Sequence, residues 1–126
     1  MSFAYVDTSY LAAIALDEKS AGALASRIKG FDRIVASPLL EAELRSAIAR
    51  DNGELDETLI ESIVWVYPDR PLGPEIRRVL NAGYLRGADC FHLASALYFM
   101  ADPAVNTILT LDTRQRAVAK ALGFKT

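Results

Sequence analysis

Residues 4–12 read AYVDTSYLA. An apolar run climbs to Val6, meets one carboxylate at Asp7, and passes through Thr8 and Ser9 into an Ala/Leu-rich segment. The stretch reads as a short buried strand over Phe3 to Val6 that turns at once into a helix over about 9–16. It also raises a question. Asp7 stands where a helix cap belongs, and where an α/β protein puts its chemistry.

Outward from this point the same alternation recurs. An Ala-rich helical pattern covers 20–29 and stops at Gly30, and RIVA (Arg33 to Ala36) reads as a second strand. Ser37 and Pro38 suit an N-cap and first helical residue, opening a helix to about Arg50, and Asp51-Asn52-Gly53 is a turn. Residues 56–66 read as helical, although Ile63 to Tyr67 (IVWVY) equally suits a strand. Pro68, Pro71 and Pro74 interrupt the chain, and Pro74 starts a helix to about Asn81. A further helix spans about 87–100, TILTL (Thr107 to Leu111) reads as a third strand, and 113–122 as a last helix closed by Gly123. Strands alternating with helices, without tight hairpins, imply crossover connections and a parallel sheet covered on both faces. In such sheets ligands bind beyond the C-terminal strand ends, so the strand-to-helix junctions are the places to inspect.

The composition sets bounds. The 126 residues, 52% hydrophobic and 24% charged, suit one globular domain over 1–126. The single cysteine, Cys90, cannot form an internal disulfide, and the chain shows no signal segment and no bilayer-length apolar run. The expected setting is cytoplasmic, with no membrane partner. A net charge of −2 argues against a nucleic-acid partner only if every carboxylate is free. With four of the 16 acids gathered around metal ions, 14 basic residues face 12 acidic ones.

Four carboxylates stand out. Asp7 follows the first strand, yet Thr8 or Ser9 suffices as a cap. Glu43 falls inside the helical stripe of Leu39, Leu40, Leu44, Ala47 and Ile48, whereas Glu41 pairs with Arg45 on the outer face. An inward carboxylate is costly unless it is paired or holds a cation. Asp89 lies in the first turn of RGADCFHLASAL, which favours an acid, but shares a face with Leu93, Ala96 and Met100. Its neighbour His92 reads as a packed core histidine, since no second His or Cys completes a metal set. Asp112 ends a strand in TLDTRQ and, with Gln115, has the form of a capping box. Thr110 points to the same side of its strand and is placed to bond a neighbouring carboxylate. Each acid has an ordinary explanation alone. Gathering all four at one end of a parallel sheet explains them together, and an all-oxygen set favours Mg²⁺ or Mn²⁺ over Zn²⁺.

Four segments, VDTS around Asp7, LLEAELRSA around Glu43, LRGADCFHLASAL around Asp89 and ILTLDTRQRAVAKALG around Asp112, resemble in order and spacing a PIN-domain ribonuclease, and within that superfamily the VapC-type toxins of toxin–antitoxin pairs. The resemblance spans nearly the whole chain. It implies a three-layer α/β/α sandwich on a central parallel sheet and Mg²⁺- or Mn²⁺-dependent endonucleolytic cleavage of RNA through metal-activated water. It also implies an acidic site of Asp7, Glu43, Asp89 and Asp112, with Asp7 and Asp89 as the foremost metal ligands and Thr8, Ser9 and Thr110 as polar supports. A small antitoxin and a homodimer are the implied partners. Some relatives carry another acid just after the fourth; here Thr113, Arg114, Gln115 and Arg116 fill that place, and the end at Thr126 leaves little room for a fifth strand. Arg114, Arg116 and Arg45 are the foremost candidates for RNA contact, with Arg50 and Arg86 behind them. Trp65 and Tyr67 suit a base-stacking, dimer-face or core role.

Two rivals remain at this level. A phosphatase that uses an Asp after its first strand wants a second acid two residues on, where Ser9 stands. A non-catalytic PIN-like module that binds RNA or protein would have no use for four intact acids.

Overall fold

Strand β1 (Phe3–Val6) pairs in parallel with β2 (Arg33–Ala36) on one side and with β4 (Thr107–Leu109) on the other. A two-residue strand β3 (Val64–Trp65) completes the sheet on the far side of β2, giving the order β3-β2-β1-β4, all parallel. This computed structural model describes residues 2–126. Six helices flank the sheet: α1 (Thr8–Ala15), α2 (Ala21–Ile28), α3 (Leu39–Arg50), α4 (Gly73–Ala82), α5 (Gly87–Phe99) and α6 (Thr113–Ala121).

The side-chain period of a strand separates the two cores. Tyr5, Val35 and Ile108 pack with Val79 of α4, Leu93 and Leu97 of α5, and Val118 of α6. The residues beside them on the same strands, Ala4, Val6, Ala36 and Leu109, pack with Leu11 of α1 and with Leu40, Leu44 and Ile48 of α3. Both faces of the sheet are therefore covered, as the near-continuous apolar strands require. The result is the expected α/β/α layering.

The chain runs β1, β2, β3 outward in one direction and then returns to place β4 beside β1. The order thus reverses between β1 and β4, and in open α/β sheets ligands bind beyond the C-terminal strand ends at such a reversal. Asp7 stands at that edge, its backbone N–H donating to the Leu109 carbonyl at 2.9 Å.

Two expectations need correction. Residues 56–66 are not a helix: Asp56 caps a single 3₁₀ turn over Glu57–Leu59, and the chain then enters β3. The β-branched and aromatic run IVWVY meets the open edge of β2 there, and Val66 N–H donates to the Ala36 carbonyl at 2.8 Å. The strand expected over Thr107 to Leu111 is consequently the fourth, not the third, and it ends at Leu109. The expected end without a fifth strand is also modified by one residue. Gly123, in the left-handed region at φ 101°, closes α6 and swings the chain so that Lys125 bridges Thr107 in parallel.

Among the described residues no helix is long and apolar enough to cross a membrane. Trp65 is half-buried against the α1–α3 core, Tyr67 is 72% exposed, and Cys90 is buried as a free thiol whose ionisation burial opposes.

Candidate functional site

Asp7 does stand as a helix cap, and capping leaves one of its oxygens over. It is the N-cap of α1, with Oδ2 accepting from Ser9 N–H at 3.2 Å and Ser9 Oγ–H at 2.7 Å. Thr110 Oγ1 donates to the same oxygen at 3.2 Å. Capping therefore occupies one oxygen of a carboxylate that is only 4% exposed. The other, Oδ1, has two distant neighbours, Gln115 Nε2 at 3.5 Å and His92 Nε2 at 3.7 Å. Asp112 repeats the pattern at the start of α6: its Oδ1 accepts from Gln115 N–H at 2.9 Å. The ordinary reading of these two acids as caps is correct, and it accounts for half of each carboxylate.

Glu43 projects inward from α3, as its helical stripe predicts, with one third of its side chain exposed. Its Oε1 accepts from Thr8 Oγ1–H at 2.7 Å and from His92 Nε2–H at 2.7 Å. The hydrogen bond from His92, aided by the one from Thr8, holds the Glu43 carboxyl below its ordinary range despite partial burial.

His92 corrects the sequence reading. It is buried, but its partners belong to the acidic edge. Ser37 N–H donates to the Tyr5 hydroxyl at 3.1 Å, the Tyr5 O–H donates to His92 Nδ1 at 2.8 Å, and Nε2–H is left to face Glu43 and Asp7. The network thus selects one imidazole tautomer. Burial raises the Tyr5 hydroxyl well above its ordinary range, which keeps it a donor. The signal available in sequence was spacing: Asp89 and His92 are i and i+3 on α5 and share a face.

Asp89 sits in the first turn of α5, with Arg86 Nε 4.0 Å away as its sole ion-pair partner among the described residues. Burial, then the negative charges of Asp7 and Asp112, push its carboxyl above the ordinary range. Asp7 and Asp112 thus lie within electrostatic reach of Asp89. A depression of about 260 Å³ lined by Arg86, Asp89, Asp112 and Arg114 opens beside them.

All three supporting hydroxyls reach the acids. Thr8 bonds Glu43, and Ser9 and Thr110 bond Asp7, while Ser9 Oγ and Thr110 Oγ1 also accept from the backbone N–H groups of Leu111 and Asp112 at 3.0 and 3.1 Å. The basic candidates divide. Arg114 lines the depression. Arg116 donates to the Thr110 carbonyl at 2.8 Å and so braces the end of β4. Arg45 is clamped between Glu41 and Glu57 at 2.8 and 2.7 Å, which leaves its charge balanced on an exposed face.

Among the described residues no three Asp, Glu, His or Cys side chains meet closely enough to form a ready-made metal centre. What is present is excess negative charge at the switch point. Asp7 Oδ1 has long contacts only, and Asp89 has one distant cation. A hard divalent ion fits that donor set, and no soft ligand competes for it.

The burial of Asp89, with the charges around it, has a measurable consequence without any ion. A carboxyl whose folded-state pKa is raised stabilises the fold below its ordinary range and loses that contribution as pH rises through the raised value. Asp89→Asn therefore melts higher than the parent protein at pH 7 in EDTA, and the gap closes at pH 4. Thermal melts at the two pH values check this; a lower melting temperature for the variant at pH 7 contradicts it.

The profile of the PIN domain family matches residues 4–121. No curated protein matches the chain. The PIN domain is a nuclease fold, its members generally metal-dependent hydrolases of nucleic acid that use Mg²⁺ or Mn²⁺. With its acids at the β1/β4 switch point and its profile match over almost the whole length, this chain belongs to the PIN domain family.

Proposed function

We propose that the protein is a Mg²⁺- or Mn²⁺-dependent endoribonuclease acting as a single PIN-like domain, and the VapC-type toxin of a type II toxin–antitoxin pair. The observation that carries the nuclease reading is the gathering of Asp7, Asp89 and Asp112 at the switch point, where burial first, and then the charges of the other two acids, oppose ionisation of Asp89. No lysine or arginine is bonded to Asp7 or Asp112 among the described residues. Such repulsion is tolerated where a cation is expected.

On this reading Asp7 and Asp89 hold the ion, with Glu43 and Asp112 completing the acidic set. Bound there, the ion would supply Lewis-acid activation of water and would neutralise charge on the phosphodiester. The protein's own groups do the rest. Ser9 and Thr110 keep Oδ2 of Asp7 engaged, which leaves Oδ1 with its two long contacts. His92 and Thr8 hold Glu43 ionised and in place. Arg114 and Arg86 beside the depression meet the phosphates on either side of the cut, offsetting the acids that would otherwise repel RNA.

The toxin reading rests on the resemblance of the four segments to VapC-type proteins. It brings with it a small antitoxin, a homodimer and a cytoplasmic setting, which the reduced Cys90 suits.

Incubation of the purified protein with RNA pools tests the chemistry. Cleavage appears with MgCl₂ or MnCl₂ and disappears with EDTA; cleavage that survives EDTA refutes the mechanism. Co-expression with the product of a short neighbouring reading frame tests the toxin assignment separately. Undiminished cleavage in its presence removes that assignment and leaves the nuclease chemistry standing.

A further inference from the structure

We propose that Gln115 is a positioning residue, an uncharged buried donor that sets the direction of Asp7 Oδ1 for the divalent ion; this rests on the metal-dependent reading above. Gln115 is fully buried in the first turn of α6, an unusual place for a glutamine. Local structure does not explain it. Asp112 at the cap and Gln115 three residues on have the spacing of a capping box, in which the Gln side chain reaches back to the cap's own N–H. Only half of that box is made. The Asp112 N–H donates instead to Thr110 Oγ1 at 3.1 Å, and the Gln115 amide turns inward.

Inside, it meets the acids. Nε2 donates to the Asp89 backbone carbonyl at 3.2 Å and to Asp7 Oδ1 at 3.5 Å, while the backbone N–H caps on Asp112 at 2.9 Å. One residue thus contacts three of the four acids and ties α5 and α6 to the end of β1. The amide orientation follows from its neighbours, because the flipped form would set Oε1 against two acceptors.

The remaining atom is a cost to the fold. Gln115 Oε1 is buried with no hydrogen-bond partner among the described residues. An orphaned buried acceptor costs stability, and an apolar side chain of the same length would avoid that cost. A lysine or arginine in its place would make stronger bonds to Asp7 and would neutralise it, competing with a cation. The neutral amide orients the carboxylate without cancelling its charge, and at 3.5 Å its hold on Oδ1 is weak enough to leave that oxygen available.

The test is calorimetric titration of MnCl₂ into the full chain and into Gln115→Met, with melts of both in EDTA. Gln115→Met keeps the length and removes the amide. The expected result is Mn²⁺ affinity about 10-fold weaker in the variant, with a melting temperature in EDTA equal to or above that of the parent. Unchanged affinity, or a loss of affinity that merely follows a lowered melting temperature, overturns the proposal. Gln115→Leu repeats the comparison if the Met variant does not fold. A parent protein that binds no Mn²⁺ overturns the metal-dependent reading itself and this inference with it, which separates that failure from a failure at Gln115 alone.

Discussion

Asp7→Asn removes RNA cleavage, a loss on the order of 10³-fold, while the protein stays folded. Loss of a group that only supports a metal ligand typically costs roughly 10–100-fold, so loss of a ligand's charge costs more. The fold tolerates the change because Asn caps helices about as well as Asp. Its carbonyl oxygen can take the place of Oδ2, which accepts from Ser9 N–H, Ser9 Oγ–H and Thr110 Oγ1–H. The new NH₂ group then faces two other donors, Gln115 Nε2–H and His92 Nε2–H, at the positions now 3.5 and 3.7 Å from Oδ1. That mismatch costs about 1 kcal/mol. Single-turnover cleavage in MnCl₂, beside a circular-dichroism melt, checks both halves. A variant that cuts RNA at the parent rate removes Asp7 from the site.

His92→Ala has the largest effect on stability, about 3 kcal/mol, or roughly 10 °C in melting temperature for a chain of this size. Two costs combine. The imidazole is 1% exposed and packs edge-on against Tyr5 at 5.8 Å between ring centres, so truncation leaves a cavity. It also strips the Tyr5 O–H of its acceptor and removes the Nε2–H donor of Glu43. Tyr5→Phe separates the terms: it creates no cavity but leaves Ser37 N–H and His92 Nδ1 without their partner, for about 1–2 kcal/mol. The His92 change also lowers cleavage, since Glu43 keeps only Thr8 as anchor. Urea unfolding of the two variants checks the ranking; a His92→Ala protein as stable as the parent shows that the buried relay carries no load.

The relay also indicates how the two layers of helices are joined at the functional edge. Glu43 and Thr8 belong to elements packed on one face of the sheet, and His92 to a helix packed on the other. They meet beyond the ends of β1 and β2, where no strand separates the layers. The acids are thereby held by bonds that cross from one layer to the other.

Much of this was legible in the linear chain because it depends on near neighbours. An apolar run ending in an acid, RIVA before Ser37-Pro38, and the helical stripe that turns Glu43 inward are short-range patterns, set by pleat, by backbone angles and by the 3.6-residue turn. They specified a parallel α/β layering, with two acids directly after its strands and two on inward helix stripes. The misreading of 56–66 has a tertiary cause: an ambiguous apolar segment became β3 because β2 offered it an unpaired edge. The roles of His92, Tyr5 and Gln115 were hidden for a related reason. Each reads alone as a core or capping residue, and each finds its hydrogen-bond partner 87, 32 or 108 positions away in the chain. Sequence determined which side chains face inward. Only the closed fold decided which of them meet, because the distance between two side chains across a crevice depends on the packing of every layer between them.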